Sequence, residues 1–284
     1  MILGVGALIR NELTRFCYLG PFRETPSRNH IPPRYPEPAR WASGLAAWDR
    51  MYSSQTVVEG VNKWLSGPDS LQIGYQLRLK EVKEVPLTSP LMVLLCSERA
   101  FDDLEDIRRM IDDCPTRSSL CLVEDETGVE VLPHDVGIGV SQLIPVVVLA
   151  LDADAKLAAI EQPELHVHPA VQVRLGDLFI HQIATDQSRI FILETHSEHL
   201  MLRLLRRIRE TTENELPPGH PGLTADKVTV IYVEEGDSSK AAGEAPPQVL
   251  PLRLKPLRID ATGEFRDRWP HGFFEERGEE LFGQ

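Results

Sequence analysis

Cysteine is scarce in this chain, and its placement excludes two kinds of small cross-linked domain. The 284 residues contain four cysteines, Cys17, Cys96, Cys114 and Cys121, and no two of them form a Cys-x-x-Cys pair. No histidine lies at zinc-finger spacing from any of them. Neither a disulfide framework nor a zinc ribbon is predicted, and the thiols are expected to be free and partly buried.

Long apolar runs are also missing. After the opening residues the longest one covers residues 143–151, well short of the roughly 20 residues that a membrane-spanning helix needs. The opening MILGVGALIR has no basic residue before its apolar stretch and no small-residue cleavage site. We therefore expect a cytoplasmic protein without membrane association, whose opening residues form the edge of a domain.

Acidic residues outnumber basic residues in this chain. Lysine and arginine total 30 against 43 aspartates and glutamates, for a net charge of −13. Such a surface repels phosphate backbones unless basic residues cluster locally. A predicted helix carries a basic cluster of Arg203, Arg206, Arg207 and Arg209. It allows a DNA or RNA contact, but a solvated helix face is favoured, because basic residues near a helix C-terminus suit the helix dipole.

Helix and strand signals alternate through the second half of the chain. A helix is predicted at 142–151, a strand at 157–160, a helix at 170–185, a strand at 189–193 and a helix at 198–209. This order predicts a parallel α/β sheet flanked by helices. Binding groups in such sheets gather at the carboxyl ends of strands, so the residues after 160 and 193 are the first candidates.

The rest of the chain is less regular. Residues 20–40 are rich in proline and arginine, which predicts a basic connecting segment without regular structure. Patterns of alternation and turn residues predict further elements. These are strands within 71–95, a helix within 97–114, a hairpin at 121–133 with its turn at 126–128, a strand at 228–233, and loops at 213–222 and 234–248.

An acidic residue ends the first strand of the alternating part. The strand leads into Glu161-Gln162-Pro163-Glu164. An apolar strand with an acid at its tip is how P-loop ATPases hold the water shell of Mg²⁺ beside the phosphates of ATP. Glu161 is the candidate for that role, with the alternative that the strand simply ends in a polar turn.

Two further segments carry polar groups at junctions. The second strand leads into Thr195-His196-Ser197, where Ser197 is a predicted helix N-cap and His196 is placed to hydrogen-bond a γ-phosphate oxygen. Upstream, Gly137, Gly139, Ser141 and Gln142 open an apolar helix, and glycine-rich helix starts bind anions through backbone amides. An ordinary helix start with Ser141 as its cap is the alternative.

Together these three segments resemble the signature motif, Walker B motif and switch histidine of ABC-type ATPases. The segments YLGPFRETPSR, DVGIGVSQLIP, IEQPELHVHP, ETHSEHL and WPHGFFEE are similar to AAA-family ATPases of the Rad50-, SMC- and OLD-like kind that end in a DUF3696 domain. The resemblance implies the C-terminal part of an ABC-type P-loop ATPase head with a small C-terminal α+β extension. It divides the chain into an N-terminal remnant (1–133), an ATPase core (134–212) and a DUF3696-like region (213–284).

The resemblance also implies roles and partners. Glu161 becomes the Walker B acid that holds Mg²⁺ through water, His196 the switch histidine, and residues 137–142 the loop offered to the ATP of a partner head. ATP is then sandwiched in a head-to-head dimer, either of two copies or with a partner chain that carries the Walker A loop. DNA-related or defence activity is the implied setting. Arg23 and Arg28 match the family pattern without an assigned role.

Three departures from the family pattern bear on activity. Gln162 stands where a carboxylate usually polarises the attacking water, and an amide cannot accept a proton. Glu164 is the candidate substitute. The signature has glycine where many ABC proteins have serine, which puts a phosphate contact by Ser141 in doubt. No Gly-x-x-x-x-Gly-Lys-Ser/Thr occurs in the chain, so we expect that the sequence begins inside a domain and that hydrolysis needs a supplied Walker A lobe.

Three alternatives stand beside the ATPase. His166, His168, His196 and His199 have spacings found in zinc sites, but the loop after Glu161 and the switch region account for them. An OLD-like ATPase-nuclease is suggested by the acidic run 233–237, although no later Asp-x-Asp follows to complete a metal site. A non-catalytic, nucleotide-dependent interaction module is favoured by the missing phosphate loop.

Overall fold

The computed structural model describes residues 13–35, 37–96, 104–235 and 252–269, together with residues 4, 6 and 10. The chain packs into two units, Met1–Val167 with Ile190–Glu194, and His168–Arg189 with Thr195–Gln284. These units differ from the three domains predicted from sequence, whose boundaries remain a prediction. The predicted loop at 234–248 lies almost wholly outside the described residues.

Eight strands and seven α-helices lie in the described residues. The strands are β1 Phe16–Leu19, β2 Tyr75–Lys83, β3 Thr116–Glu124, β4 Glu130–Val131, β5 Leu157–Glu161, β6 Ile190–Glu194, β7 Val230–Glu235 and β8 Leu252–Leu257. The helices are α1 Leu45–Ser53, α2 Gln55–Ser66, α3 Pro90–Leu95, α4 Leu104–Asp112, α5 Ile138–Leu151, α6 Pro169–Thr185 and α7 Glu198–Glu213. Short 3-10 helices cover Pro38–Trp41 and Ala225–Lys227.

A three-stranded parallel sheet organises the first unit. Its order is β1-β5-β6, with β5 in the middle. Tyr18 lies opposite Ala159 of β5, and Glu161 lies opposite Glu194 of β6. This sheet confirms the α/β class. The sequence predicted β5 and β6 but not β1, which has only four residues before the proline-rich segment.

Helix α5 forms the apolar centre of the first unit. All of residues 141–150 are buried, as expected for a helix that is apolar around its whole circumference. It packs against α1 and α2, whose Trp48, Met51 and Val61 are fully buried. The helix begins at Ile138, four residues before the predicted start. Across the described residues, no helix combines the length and apolarity needed to cross a bilayer.

An antiparallel sheet, β2-β3-β4, completes the first unit. The predicted hairpin is confirmed as β3 and β4, with Gly128 at a φ of +68° in its turn. The expectation of strands throughout 71–95 was wrong after Lys83. A short helix forms there instead, with Ser89 as its N-cap and Pro90 as its first residue. Proline suits that first helical position. The helix predicted within 97–114 is seen at Leu104–Asp112, and residues 97–103 lie outside the described part.

The second unit joins two helices to a small hairpin. Helices α6 and α7 pack closely at Gly176. A Cβ at that position would lie 2.8 Å from Arg203 Cγ, so the absence of a side chain allows the contact. Ile180, Ile208 and Leu223 form its apolar cluster. Strands β7 and β8 pair antiparallel. This hairpin is consistent with the α+β extension predicted at the C-terminal end.

Candidate functional site

The candidate site lies at the carboxyl edge of the parallel sheet. Strands β1, β5 and β6 run in the same direction, so their carboxyl ends share one edge. Residues 20–23 follow β1, residues 162–164 follow β5, and residues 195–197 follow β6. The sequence predicted the second and third of these junctions. The first was interpreted as a connecting loop, yet it brings Arg23 into the site.

Glu161, the proposed Walker B acid, ends the central strand. Its side chain is partly exposed and accepts a hydrogen bond of 2.8 Å from the hydroxyl of Tyr18 on β1. This hydrogen bond to the carboxylate raises the pKa of Tyr18 above its ordinary value. Tyr18 therefore stays a donor at neutral pH and orients one oxygen of Glu161. Hard carboxylate oxygens of this kind suit Mg²⁺.

Gln162 adopts an unusual backbone conformation directly after the strand. Its φ is +43°, in the left-handed region, which costs a residue with a Cβ roughly 1–2 kcal/mol. Its backbone N–H donates to the carbonyl of Glu194 at 2.8 Å and to Glu194 Oε2 at 3.3 Å. These two hydrogen bonds to Glu194 fix the end of β5 against β6. Strained backbone that is held in place by its neighbours is common at functional sites.

Glu164, the candidate substitute for a catalytic carboxylate, is buried in the first unit. The residue is 9% exposed, and its charge acts on Arg23. Burial lowers the pKa of Arg23 to about 10, against the opposing effect of Glu164. Arg23 remains protonated at neutral pH. A buried carboxylate beside a buried guanidinium is poorly placed to reach a water at the sheet edge.

Arg23 is the main residue of the site that sequence reasoning left without a role. It is 4% exposed. Its Nη2 donates to the carbonyls of Glu161 at 2.5 Å and Gln162 at 3.0 Å, and its Nη1 donates to the carbonyl of Gln142 at 3.3 Å. One guanidinium thus joins the end of β5 to the start of α5. The sequence signals were its match to the family pattern and its place four residues after the short strand β1.

The glycine-led helix start is held from inside. Gly137 is the N-cap of α5, so the alternative of Ser141 as the cap was wrong. Ser141 is 4% exposed and donates from Oγ to the carbonyl of Ile138 at 3.0 Å. Gln142 donates from Nε2 to the carbonyl of Arg23 at 2.6 Å. Both side chains therefore support the loop and do not face solvent.

The outer part of this helix start is open. Gly137 and Ile138 are exposed, and a Cβ on Gly137 would meet nothing within 4 Å. At position 139, by contrast, neighbouring backbone leaves no room for a side chain. A Cβ there would lie 2.4 Å from the carbonyl oxygen of His166, in the loop after β5. The loop and the helix start are therefore in direct backbone contact.

The residues after β6 belong to the second unit. Ser197 caps α7 as predicted, accepting from the N–H of Leu200 at 3.0 Å and donating to Gln172 Oε1 at 2.7 Å. The hydroxyl of Thr195 accepts from the N–H of Ser197 at 2.9 Å. His196 is exposed between these two anchored residues. The neighbouring hydrogen bonds of Thr195 and Ser197 hold the backbone on both sides of this exposed residue.

The basic helix is largely neutralised within the second unit. Arg207 is 2% exposed and pairs with Asp177 at 2.7 Å and Glu210 at 2.6 Å. Arg203 pairs with Asp177 at 3.3 Å, and Arg206 with Glu210 at 2.6 Å. The expectation of a solvated basic face was wrong for Arg207. This also weakens the case for a nucleic-acid contact there.

The histidine pattern has structural explanations where the structure describes it. His168 is the N-cap of α6 and accepts from the N–H of Ala170 at 3.2 Å. His166 has a φ of +61° in the loop beside Gly139. Within the described residues, no group of three or more His, Cys, Asp or Glu side chains is placed to hold a metal ion.

A pocket in the first unit lies outside this site. It measures about 150 Å³ and is lined by residues that include Ser27, Arg28 and His134. Arg28 pairs there with Asp135 at 3.1 Å, and both side chains are largely exposed. Exposed pairs of this kind contribute about 0–1 kcal/mol. Arg28 therefore links the segment after β1 to the loop before α5 only weakly.

A match between this sequence and a protein-family profile shows the family of the chain. A protein-family profile described as "AAA domain, putative AbiEii toxin, Type IV TA system" matches residues 32–202, more than half of the 284 residues. The chain belongs to this AAA family. The match includes the start of α5, Glu161 and His196, but neither Tyr18 nor Arg23.

Solved structures similar to this AAA protein include two Smc heads, each 10% identical to it. One is the Smc head bound to the C-winged helix domain of ScpA, with a TM-score of 0.40, covering 77% of this chain and 47% of that chain. The other is the Smc head domain with an extended coiled coil bound to the C-terminal domain of ScpA, derived from Pyrococcus furiosus, with a TM-score of 0.39 and coverage of 75% and 37%. The chain thus spans less than half the length of these solved chains. No curated protein matches it.

Proposed function

We propose that this AAA family member provides one half of a composite site for Mg²⁺-dependent ATP hydrolysis. The other elements come from a lobe that carries a Gly-x-x-x-x-Gly-Lys-Ser/Thr loop, and from a second head. The observation that carries the proposal is the position of Glu161 at the carboxyl end of the central strand of a parallel sheet. Membership of an AAA family supports a nucleotide as the ligand.

Each residue of the site has a defined task in this proposal. Glu161 would hold the water shell of Mg²⁺, with Tyr18 orienting the carboxylate. The ion bound with ATP would neutralise charge on the phosphates. His196 donates a hydrogen bond to a γ-phosphate oxygen. The exposed helix start at Gly137 offers its backbone, with that of the partly exposed Gly139, to the ATP of the second head, while Ser141 and Gln142 hold that loop from inside.

The exposed face of the parallel sheet supports the need for a further lobe. Phe16, Tyr18, Ile190 and Ile192 share one face and are 38%, 37%, 59% and 55% exposed. Parallel sheets are normally covered by helices on both faces. An apolar helix that follows the phosphate loop is the partner that this face fits, since it would bring the loop to the edge where Glu161 lies.

The test uses a tagged form of the chain, purified from its native cells together with the proteins that bind it. We expect Mg²⁺-dependent release of phosphate from ATP, and we expect Glu161→Gln to abolish it. Glu126→Gln, in the exposed β3–β4 turn, is the matched control and should retain the parent rate. If Glu161→Gln hydrolyses ATP at the parent rate, the Walker B assignment is wrong.

The dimer is tested separately by the mass of the assembly in light scattering. Because Glu161→Gln should abolish hydrolysis, ATP with Mg²⁺ should increase the population of a head-to-head dimer in that variant. Ile138→Asp, at the exposed start of α5, should reduce the increase without changing the mass of the nucleotide-free assembly. A mass that does not depend on ATP would contradict the sandwich.

A nucleotide-dependent interaction module without hydrolysis is the second candidate. Gln162 favours it, because an amide cannot take a proton from the attacking water. In that case ATP and Mg²⁺ should raise the melting temperature of the assembly, since a ligand that binds the folded state stabilises it, while no phosphate is released. Neither stabilisation nor release would overturn both candidates.

A nuclease receives less support. Asp260 accepts hydrogen bonds from Thr262 and from the N–H of Glu264, and Asp267 pairs with Arg258 at 2.7 Å. These two acids therefore stabilise the loop after β8.

The family description names a toxin and a type IV toxin–antitoxin system, which agrees with a defence-related setting for the proposed ATPase.

A further inference from the structure

Glu194 lies beside the proposed Walker B acid. It is the last residue of β6 and is the register partner of Glu161, the last residue of β5. Register partners on neighbouring parallel strands direct their side chains to the same face of the sheet. Glu194 is exposed, whereas Glu161 is partly exposed. Two carboxylates thus stand together at the sheet edge, on the face that Tyr18 shares.

The position of Glu194 is also defined relative to Gln162. The backbone N–H of Gln162 donates to the carbonyl and to the carboxylate Oε2 of Glu194, at 2.8 and 3.3 Å. One carboxylate oxygen therefore lies over the first residue after β5. This is the place from which the residue after a Walker B acid usually acts, and here that residue is an amide.

The other candidate carboxylate is less accessible. Glu164 is 9% exposed, and its charge acts on the buried guanidinium of Arg23. A water that attacks a phosphate must reach a carboxylate at the sheet edge, and Glu194 is exposed there whereas Glu164 is buried. Among these acids, Glu194 alone combines exposure with a fixed position beside Glu161.

We propose that Glu194 supplies the water-orienting carboxylate that Gln162 cannot provide. This inference rests on the ATPase function proposed above. An oxygen of Glu194 accepts a hydrogen bond from water and directs the water oxygen at the γ-phosphorus. The new P–O bond forms as the bond to the β-phosphate oxygen breaks, ADP leaves with that electron pair, and the second proton of the water leaves the product phosphate for solvent.

The experiment compares Glu194→Gln with the parent in the native assembly, by single-turnover hydrolysis and by binding of a fluorescent ATP analogue with Mg²⁺. We expect hydrolysis to fall by roughly 10²-fold or more. Analogue affinity should stay within about threefold, and bound ATP should persist longer. Glu126→Gln should match the parent in both measurements.

Relocating the carboxylate provides the decisive control. The double variant Gln162→Glu with Glu194→Gln restores an acid at the strand end, and it should recover at least a tenth of the parent rate. A purely structural role for Glu194 would give no such recovery.

The outcomes separate this inference from the proposed function. A parent assembly that does not hydrolyse ATP overturns the ATPase function itself. An active parent with an equally active Glu194→Gln variant overturns only the role of Glu194. Loss of analogue binding together with hydrolysis, or no recovery in the double variant, assigns Glu194 to structure and also overturns the inference. Loss confined to Glu164→Gln would assign the water to Glu164.

Discussion

Arg23 and Gln142 hold one another through three hydrogen bonds, although 119 residues separate them in sequence. The amide side chain of Gln142 binds both the backbone N–H and the carbonyl of Arg23, while the guanidinium of Arg23 binds the carbonyl of Gln142. The guanidinium also reaches the carbonyls of Glu161 and Gln162. The start of α5 and the end of β5 are therefore positioned by the same buried side chain.

We expect Gln142→Leu to destabilise the protein by about 1–3 kcal/mol, because it leaves the backbone N–H and carbonyl of Arg23 buried without these partners. Urea unfolding measures the change. Gln55→Leu is the control, since Gln55 is exposed and hydrogen-bonds to Glu59 across one helix turn. Equal midpoints for the two variants would show that the buried amide is not important for stability.

Gly139→Ala and Gly137→Ala should behave differently although they are two residues apart. A Cβ at 139 would lie 2.4 Å from the carbonyl oxygen of His166, whereas one at 137 would meet nothing within 4 Å. Overpacking against backbone typically costs 1–3 kcal/mol, so we expect about that loss for Gly139→Ala. Gly137→Ala should change the free energy of unfolding by about 0.5 kcal/mol or less. Similar losses in thermal unfolding would contradict the backbone contact.

Asp177→Ala should destabilise the second unit by about 3 kcal/mol or more, because it leaves the buried charges of Arg203 and Arg207 without their shared partner. The control is Asp106→Ala, which removes an exposed pair with Arg109 and should change stability by about 0.5 kcal/mol or less. Chemical denaturation of the two variants checks the difference. A small effect for Asp177→Ala would mean that Glu210 compensates fully.

The carboxyl of Asp267 should titrate at low pH. The hydrogen bonds from the Arg258 side chain and backbone lower the pKa of Asp267 from 3.8 to about 2. Because the pKa is lower in the folded state, the stabilisation by this pair is complete above the ordinary pKa and is lost as pH falls through about 2. NMR titration of the carboxyl carbon measures the midpoint, and Arg258→Gln should raise it toward 3.8. An unchanged midpoint in that variant would contradict the assigned cause.

Local patterns predicted much of the architecture. The sequence predicted β5, β6 and the Ser197 cap correctly because an apolar strand and a helix N-cap depend on neighbouring residues. It missed β1, since four residues carry little periodic signal and the strand exists only through pairing with β5. The alternative of Ser141 as the helix cap was wrong, because a serine after two glycines resembles an N-cap until the packing of α5 is known.

The sequence by itself determined which residues stand at the strand ends, since the alternation of apolar strands and helices fixes Glu161, Gln162 and His196 there. Only the tertiary structure decided how those residues are held. Strand pairing brings Tyr18 and Glu194 beside Glu161, and burial directs Arg23 toward three carbonyls that lie far away in sequence. The physical reason is that hydrogen bonds and desolvation act over distances of a few ångströms in space, and separation along the chain does not reveal those distances.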